Sequence, residues 1–249
     1  MIDFTGRHAV ITGASSGIGR AAAETIVRLG GKVTLIARRA DLLVEICAGM
    51  GDGAKFAAAD VGDKAALLAA LDSAIAQNGP VDALFLNAGI GGGFHAIPDY
   101  SDEQLDTVMR VNVHAPFWAI RHLAPAMLER GKGSILLTGS LASERGMANN
   151  VGYVASKHAL LGIARAAALE FAGQGVRVNC LIPGFIDTPM MADVPEAARE
   201  HLAGRIPQGR LGASDEMAQT AAFLLSDAAS HITGQALSVD GGVLGTLQV

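Results

Sequence analysis

A chain of 249 residues, half of them apolar, is long enough to bury a substantial core as one large domain. Nineteen basic residues stand against twenty-four acidic ones with no Lys/Arg block, which argues against a nucleic-acid partner and favours a small molecule. The two cysteines, Cys47 and Cys180, are far apart and have no His-rich neighbourhood, so neither a disulfide framework nor a metal site is expected and both read as reduced, buried thiols.

The first residues lack a basic start followed by an apolar run, and no stretch approaches the roughly 18 apolar residues of a membrane span. A cytoplasmic protein with no membrane contact is expected.

Short apolar runs at His8–Thr12, Lys32–Ala37, Val81–Asn87, Gly133–Gly139, Val176–Ile182 and Ala236–Val239 predict strands, with Lys55–Ala59 a weaker candidate. Most are followed by an Ala/Leu-rich stretch long enough for a helix. This alternation predicts an α/β fold in one domain spanning residues 1–249: a doubly wound, Rossmann-like parallel sheet with helices on both faces. Pro189 to Arg210 is rich in Met, Ala, Arg and Glu and has no strand pattern, which suggests a substrate lid.

The first predicted strand runs into Thr12-Gly13-Ala14-Ser15-Ser16-Gly17-Ile18-Gly19, and a helix is expected from Arg20 to Leu29. Glycines between a strand and a helix let the backbone approach a phosphate and present helix N-terminal N–H groups to it. The spacing Gly-x-x-x-Gly-x-Gly is not the common Gly-x-Gly-x-x-Gly, and a tight turn alone would also call for glycine.

The second strand ends in Arg38 and Arg39, with no carboxylate until Asp41. A carboxylate there holds the adenine ribose of NAD, whereas an Arg meets the 2′-phosphate of NADP. A charge-assisted Arg38–phosphate contact is worth about 1.5–3 kcal/mol, roughly one to two orders of magnitude, so NADP(H) is expected over NAD(H). The alternative is that both arginines simply solvate the next helix. Ser15 and Ser16 either add hydroxyl contacts to that phosphate or serve as turn residues.

Tyr153 and Lys157 are four apart at the start of a helix running to about Phe171, so both project from one face. A phenol ordinarily titrates near pH ~10, and an ammonium close by favours its ionised form. Alone, such a pair is common on helix surfaces. Ser140, however, lies thirteen residues before Tyr153, just past the apolar strand that contains Thr138, at the sheet edge where ligands bind.

Together these motifs resemble the short-chain dehydrogenase/reductase family, in order along essentially the whole chain, from the glycine loop to Asp240-Gly241-Gly242. The resemblance implies that Ser140 binds the substrate oxygen, Tyr153 exchanges a proton with it, and Lys157 holds the nicotinamide ribose while supporting Tyr153. Ser143 competes with Ser140 for the first role. It implies further that Asp60 and Val61 touch the adenine, although Asp60 would equally suit as the cap of the helix beginning near Asp63. Asn87, Ala88 and Gly89 would brace the sheet and let the cofactor pass, and Pro183, Gly184, Ile186 and Thr188 would orient the nicotinamide carboxamide.

The family's fourth catalytic residue corresponds to Asn112, in a helix that opens at the capping-box-like Ser101-Asp102-Glu103-Gln104. Pro116 has no N–H, so the carbonyl of Asn112 loses its intrahelical partner. A kink is expected there, with the freed carbonyl holding a relay water for Lys157; the alternative is a plain buried Asn.

The substrate pocket is expected to be lined by residues 91–95, Leu141, Ala142, Met147, Val151, Phe185, Met190 and Met191, which are mostly apolar and favour a hydrophobic ketone or secondary alcohol. His95 is the one histidine near substrate, and it receives no role. Two further readings are a 3-oxoacyl-[acyl-carrier-protein] reductase, with Arg130 and Lys132 as a landing patch, and an NAD-dependent secondary alcohol dehydrogenase. Gln174, where that carrier-protein reductase usually has Arg, weakens the former. An idle scaffold is disfavoured by the four catalytic residue types, and an epimerase by the short tail. Apolar residues on several faces, including Trp118, Leu123, Leu160 and Leu161, together with the resemblance, suggest a homotetramer or homodimer.

Overall fold

Each apolar run feeds two cores in alternation. Val10 packs on one side with Ile36, Leu84, Ile135 and Val178, while its neighbours Ala9 and Ile11 pack on the other with Leu35, Phe85, Leu136 and Leu181. A strand covered on both faces has no solvent-facing positions, so its sequence reads as continuously apolar. The structure is a computed structural model that describes residues 2–192 and 194–245, without the side chain of Met190.

In chain order the elements are β1 (His8–Thr12), α1 (Gly17–Arg28), β2 (Lys32–Ala37), α2 (Ala40–Met50), β3 (Ala54–Ala58), α3 (Lys64–Asn78) and β4 (Ala83–Leu86). There follow α4 (Asp102–Met109), α5 (Ala115–Glu129), β5 (Gly133–Thr138), α6 (Val151–Phe171) and β6 (Val176–Pro183). Last come β7 (Ile186–Asp187), α7 (Glu196–Gly204), β8 (Gly212–Ala213), α8 (Ser214–Leu225) and β9 (Ala236–Val239).

Seven strands form one parallel sheet in the order β3-β2-β1-β4-β5-β6-β9. Helices α3, α5 and α6 cover one face, and α1, α2 and α8 the other. The expected doubly wound, three-layer α/β architecture is therefore present.

Several boundaries differ from expectation for local reasons. Helix α1 begins at Gly17 rather than Arg20, because extended Ser16 serves as N-cap and brings Ile18 and Gly19 into the first turn. β3 is shifted to start at Ala54. Cys180 is buried, but Cys47 is only half-buried, so the expectation of two buried thiols holds for one. Desolvation raises both thiols, Cys180 to about 11, which leaves them unreactive near neutrality.

The expected lid contains a short turn at Pro189–Met191 and all of α7. Its ends are tied together just outside the segment, where Ile186 pairs with Gly212 and Asp187 with Ala213. Arg199 reaches back from α7 to Asp187. At the far end, Arg210 binds Glu216 (2.7 Å), and with the Ala213 N–H it holds that carboxyl at about 2. Asp193 lies outside the described residues.

Leu123, Leu160 and Leu161 do not face outward: each is buried in this chain's own core against the sheet. On the same helices Phe117 and Leu169 are the exposed large apolar side chains, at 46% and 86%. No helix among the described residues is long and apolar enough to cross a membrane.

One buried polar contact makes the fold sensitive to acid. His8 Nδ1 lies 2.9 Å from the Gly79 carbonyl, so it carries the proton, and Nε2 accepts from the Thr34 hydroxyl at 2.9 Å. Burial pushes its titration below the ordinary histidine value, against the opposing pull of the Gly79 carbonyl and Asp82. The unfolded chain thus takes up this proton first as pH falls. The contribution of His8 is full above about pH 6.5 and is lost progressively below it. His8→Gln, which cannot titrate, is expected to show a smaller drop in thermal midpoint than the parent between pH 7 and 5, followed by circular dichroism. Equal drops would remove His8 from the account.

Candidate active site

The sheet's order reverses between β1 and β4, and in such folds a crevice opens at the carboxyl ends of the strands at this point. All strands of the large sheet are parallel, so the glycine loop after β1, residues 87–89 after β4, Ser140 after β5 and residues 184–188 after β6 reach the same edge.

The glycine loop is closely wrapped. Gly13 and Gly17 have φ of +66° and +52°, values that disfavour a side chain. A Cβ on Gly13 would stand 2.9 Å from Ala88 Cα, and one on Gly19 would stand 2.5 Å from the Gly13 carbonyl oxygen. Gly17 lies under Thr188, whose methyl would meet a Cβ there at 3.4 Å. Ser16 is the N-cap of α1, yet its hydroxyl makes no capping bond, so the first-turn N–H groups have no side-chain acceptor. Such an end suits the pyrophosphate of a dinucleotide.

Arg38 and Arg39 are both exposed beside this loop, and it is Arg39 that contacts it, donating from Nη2 to Ser15 Oγ at 3.2 Å. Asp60 is not the cap of α3. That role falls to Asp63, which accepts from the Ala65 and Ala66 N–H groups, while Asp60 accepts from the Gly62 N–H at 2.9 Å in a tight turn. Val61 is buried against the core beneath.

Asn87 joins three strands. Its side-chain amide donates to the Thr12 and Gly13 carbonyls at 3.3 and 3.4 Å, and its Oδ1 accepts from the Thr138 hydroxyl at 3.2 Å. Thr12 Oγ1 accepts the N–H groups of Asn87 and Ala88, each at 3.1 Å. A Cβ at Gly89 would be 3.3 Å from Asn112 Oδ1 and 3.5 Å from Lys157 Nζ, so a small residue here keeps the middle of the crevice open.

The kink expected near Asn112 takes the form of a π-turn over Arg110–His114, closed by the Ala115 N–H on the Arg110 carbonyl. Pro116 follows in the first turn of α5. Asn112 is buried, and its side chain both accepts from the Ile90 N–H and donates to the Ile90 carbonyl, each at 2.9 Å. A second amide hydrogen goes to Ser156 Oγ at 3.0 Å, and Ser156 in turn donates to the Tyr153 carbonyl at 2.8 Å.

Lys157 is 4% exposed, and its ammonium donates to the Thr138 carbonyl at 2.7 Å while standing 5.5 Å from the centre of the Tyr153 ring. Tyr153 and Ser140 are half-buried. Ser140 Oγ accepts from the Ala142 N–H, and Ser143 Oγ accepts from the Ser140 N–H, both at 3.1 Å. Ser143 is 2% exposed and enclosed by this turn, which leaves Ser140 as the accessible hydroxyl.

Around this centre Ala142 is buried, Phe185 half-buried and Met147 exposed. Pro183 ends β6, Gly184 donates to the Val239 carbonyl at 3.0 Å, and Ile186 is buried. His95 stacks edge-on against Tyr100. The described residues hold no cluster of His, Cys, Asp and Glu suited to a metal ion.

Two side chains that the sequence pattern leaves without a role complete the frame. Ser156 links α6 to Asn112, and its position inside Tyr153-x-x-Ser156-Lys157 is the one hint. Tyr100 donates to the Gly92 carbonyl at 3.2 Å, and its ring lies directly on Gly152, pinning the glycine-rich 91–93 loop to the start of α6. Nothing in the sequence spacing signals that long-range contact.

The profile of a family described as enoyl-(acyl carrier protein) reductase matches residues 13–244. The chain is 38% identical to a cyclohexanol dehydrogenase of Acinetobacter sp. strain SE19 over 96% of its own length and 95% of that protein. It is 36% identical to a 3-oxoacyl-[acyl-carrier-protein] reductase of Salmonella typhimurium, over 97% and 99% of the two chains. Among solved structures, a levodione reductase superposes with a TM-score of 0.94 at 32% identity, covering 98% of this chain and 100% of that one. A 3-ketoacyl-(acyl-carrier-protein) reductase from Brucella melitensis complexed with NADH gives 0.90 at 34% identity, over 96% and 98%. Similarity of this extent, over a sheet and crevice of the same kind, is inherited as a whole: the chain belongs to the short-chain dehydrogenase/reductase family of nicotinamide-dependent oxidoreductases.

Proposed function

We propose that the protein interconverts a hydrophobic ketone and its secondary alcohol, with NADP(H) preferred over NAD(H). The observation that carries this reading is the convergence of Ser140, Tyr153 and a buried Lys157 at the carboxyl edge of the sheet, beside a glycine cradle that excludes side chains. In the crevice Gly13, Ser15, Ser16, Gly17, Ile18 and Gly19 would hold the pyrophosphate, Arg38 and Arg39 the 2′-phosphate, and Asp60 and Val61 the adenine. Asn87, Ala88, Gly89 and Lys157 would flank the ribose, and Pro183, Gly184, Ile186 and Thr188 the carboxamide. The bound nicotinamide supplies the hydride that is exchanged with the substrate carbon.

The chain's own groups handle the oxygen and its proton. Ser140 Oγ already accepts the Ala142 N–H, so its own hydrogen is available to the substrate oxygen. In ketone reduction Tyr153 gives that oxygen its phenolic proton, and in alcohol oxidation it takes one. Lys157 places a positive charge against the Tyr153 ring, which stabilises the phenolate left behind. One Lys157 hydrogen is fixed on Thr138, and two remain for the crevice. The π-turn beside Asn112 supports a water-linked return path for the proton through Lys157.

Titration with NADPH and NADH, read by fluorescence of the reduced nicotinamide, tests the cofactor assignment. Arg38→Asp is expected to weaken NADPH binding by about one to two orders of magnitude while sparing NADH. Tighter NADH binding by the unaltered protein would overturn it in favour of an NAD-dependent alcohol dehydrogenase, a reading favoured by the NADH held in the similar Brucella structure.

Similarity to carrier-protein reductases favours a 3-oxoacyl thioester as a second substrate reading. Against it, Arg130 donates to the Val81 carbonyl at 2.6 Å, and Lys132 precedes the amino end of β5, the opposite edge of the sheet from Ser140. Such a patch could serve only a neighbouring subunit's site. A homotetramer or homodimer is consistent with the exposed Phe117 and Leu169. A reducing cytoplasmic setting suits the two free thiols.

A further inference from the structure

At the amino-terminal edge of the sheet, opposite the catalytic crevice, is a pocket of about 430 Å³ lined by Arg7, Lys132, Arg177, His231, Ser230 and Thr233, with Asp227 at its rim. That volume falls within the ~300–1,000 Å³ typical of small-molecule sites. Arg177 is the second residue of β6 and Pro183 its last, so at ~3.3 Å per residue roughly 20 Å separates this pocket from the nicotinamide crevice.

The charges in it do not balance. The Arg177 guanidinium donates to the Leu224, Ile232 and Ser226 carbonyls and to Ser134 Oγ, all of them neutral acceptors. Arg7 is 7% exposed and donates to Asp227 at 3.0 Å and to the Leu225 carbonyl, but its buried Nε–H has no partner. Lys132 stands 4.0 Å from the same carboxylate. Three cations therefore share one carboxylate, itself largely exposed, in a chain whose overall charge is −5. Burial first, and the nearby Arg7 second, push the Arg177 guanidinium below its ordinary value. Buried cations and an unpaired buried donor are costly unless an anion meets them.

We propose that this pocket binds a phosphate group, either inorganic phosphate or the phosphate of a small phosphomonoester. The Arg7 Nη hydrogens not spent on Asp227 and Leu225, the Lys132 ammonium and the Ser230 hydroxyl form the donor set, and the charge of Arg177 beside them, its own Nη hydrogens already on protein acceptors, favours an oxyanion carrying two negative charges. Binding there stabilises the fold by mass action, without contact with the reacting atoms.

The test uses the full chain saturated with reduced nicotinamide cofactor, so that phosphate cannot occupy the crevice. Sodium phosphate is titrated against potassium chloride of equal ionic strength, with the thermal midpoint as readout. A saturable rise of about 3–6 °C at tenfold the dissociation constant is expected, beyond that in chloride. Lys132→Glu, at an exposed position, should weaken the apparent affinity about tenfold or more, and Asp227→Asn, which removes the one competing carboxylate, should strengthen it. No rise beyond chloride, or equal rises in the parent and both variants, overturns the site. Glycerol phosphate in place of inorganic phosphate separates the two sources: tighter binding of the ester identifies a phosphomonoester, and equal or weaker binding identifies the free ion.

Discussion

Tyr153→Phe is expected to lower kcat by about 10²–10⁴-fold, the range for a positioned proton donor, and to leave the rest of the molecule almost untouched. The ring is kept, so the Lys157 ammonium still lies over it at 5.5 Å, and the Ser156 hydroxyl bonds the Tyr153 carbonyl rather than its phenol. The phenol makes no hydrogen bond among the described residues, so the thermal midpoint should move little. Binding of the reduced cofactor, followed by nicotinamide fluorescence, should be unchanged, because the glycine loop and the Arg38–Arg39 corner are remote from the lost oxygen. Reduction of a small panel of cyclic and aryl ketones measures kcat. Activity within tenfold of the parent would remove Tyr153 from the proton-transfer step, and a parallel loss of cofactor affinity would make its role one of binding.

Much of this arrangement could be read in the sequence because it depends on local spacing. The strands buried on both faces are unbroken apolar runs, and the glycine loop and the Tyr153/Lys157 pair are short-range patterns. β3 was the weakest strand signal for a physical reason: it lies at the sheet edge, where Phe56 and Ala57 are only half-buried and Lys55 and Ala58 face solvent. Pro116 marked where the helix breaks but not that the break would be a π-turn, since a missing N–H identifies a lost bond and not the geometry that replaces it. On paper Asp60 suits equally as an adenine contact and as the cap of α3, and the structure gives the cap to Asp63, whose carboxylate accepts from the Ala65 and Ala66 N–H groups. The Asp60 carboxylate instead closes a tight turn on the Gly62 N–H, a local geometry that spacing alone does not reveal.

What escaped the sequence depends on contacts between distant segments. Apolar periodicity cannot distinguish a helix face that packs on its own sheet from one that packs on another chain, which is why Leu123, Leu160 and Leu161 turned out to be core. Ser156 acquires its function from Asn112, 44 positions away, and Tyr100 acquires its own from Gly152. The pocket around Arg7 and Arg177 is likewise assembled from four separated stretches that carry no motif.

In the proposed mechanism Lys157 acts at two places, on the nicotinamide ribose and on Tyr153, and one substitution series separates them. Lys157→Met keeps the length and apolar character of the stem but removes the charge and the hydrogen bond to the Thr138 carbonyl. A buried carbonyl left without its donor costs about 1–3 kcal/mol, partly offset by relief from burying an ammonium that is 4% exposed, so the midpoint should fall by a few degrees at most. The Michaelis constant for cofactor should rise as the ribose contact is lost, and kcat should fall by about 10²-fold or more as Tyr153 loses its supporting charge. These two effects make different predictions in combination with Tyr153→Phe. If the effect of Lys157 on kcat runs through the tyrosine oxygen, the double variant should be no slower than Tyr153→Phe alone, whereas the loss of cofactor affinity should persist in full. Additive losses in kcat would show that Lys157 acts on the substrate or the hydride step directly, and an unchanged Michaelis constant would place the ribose elsewhere in the crevice.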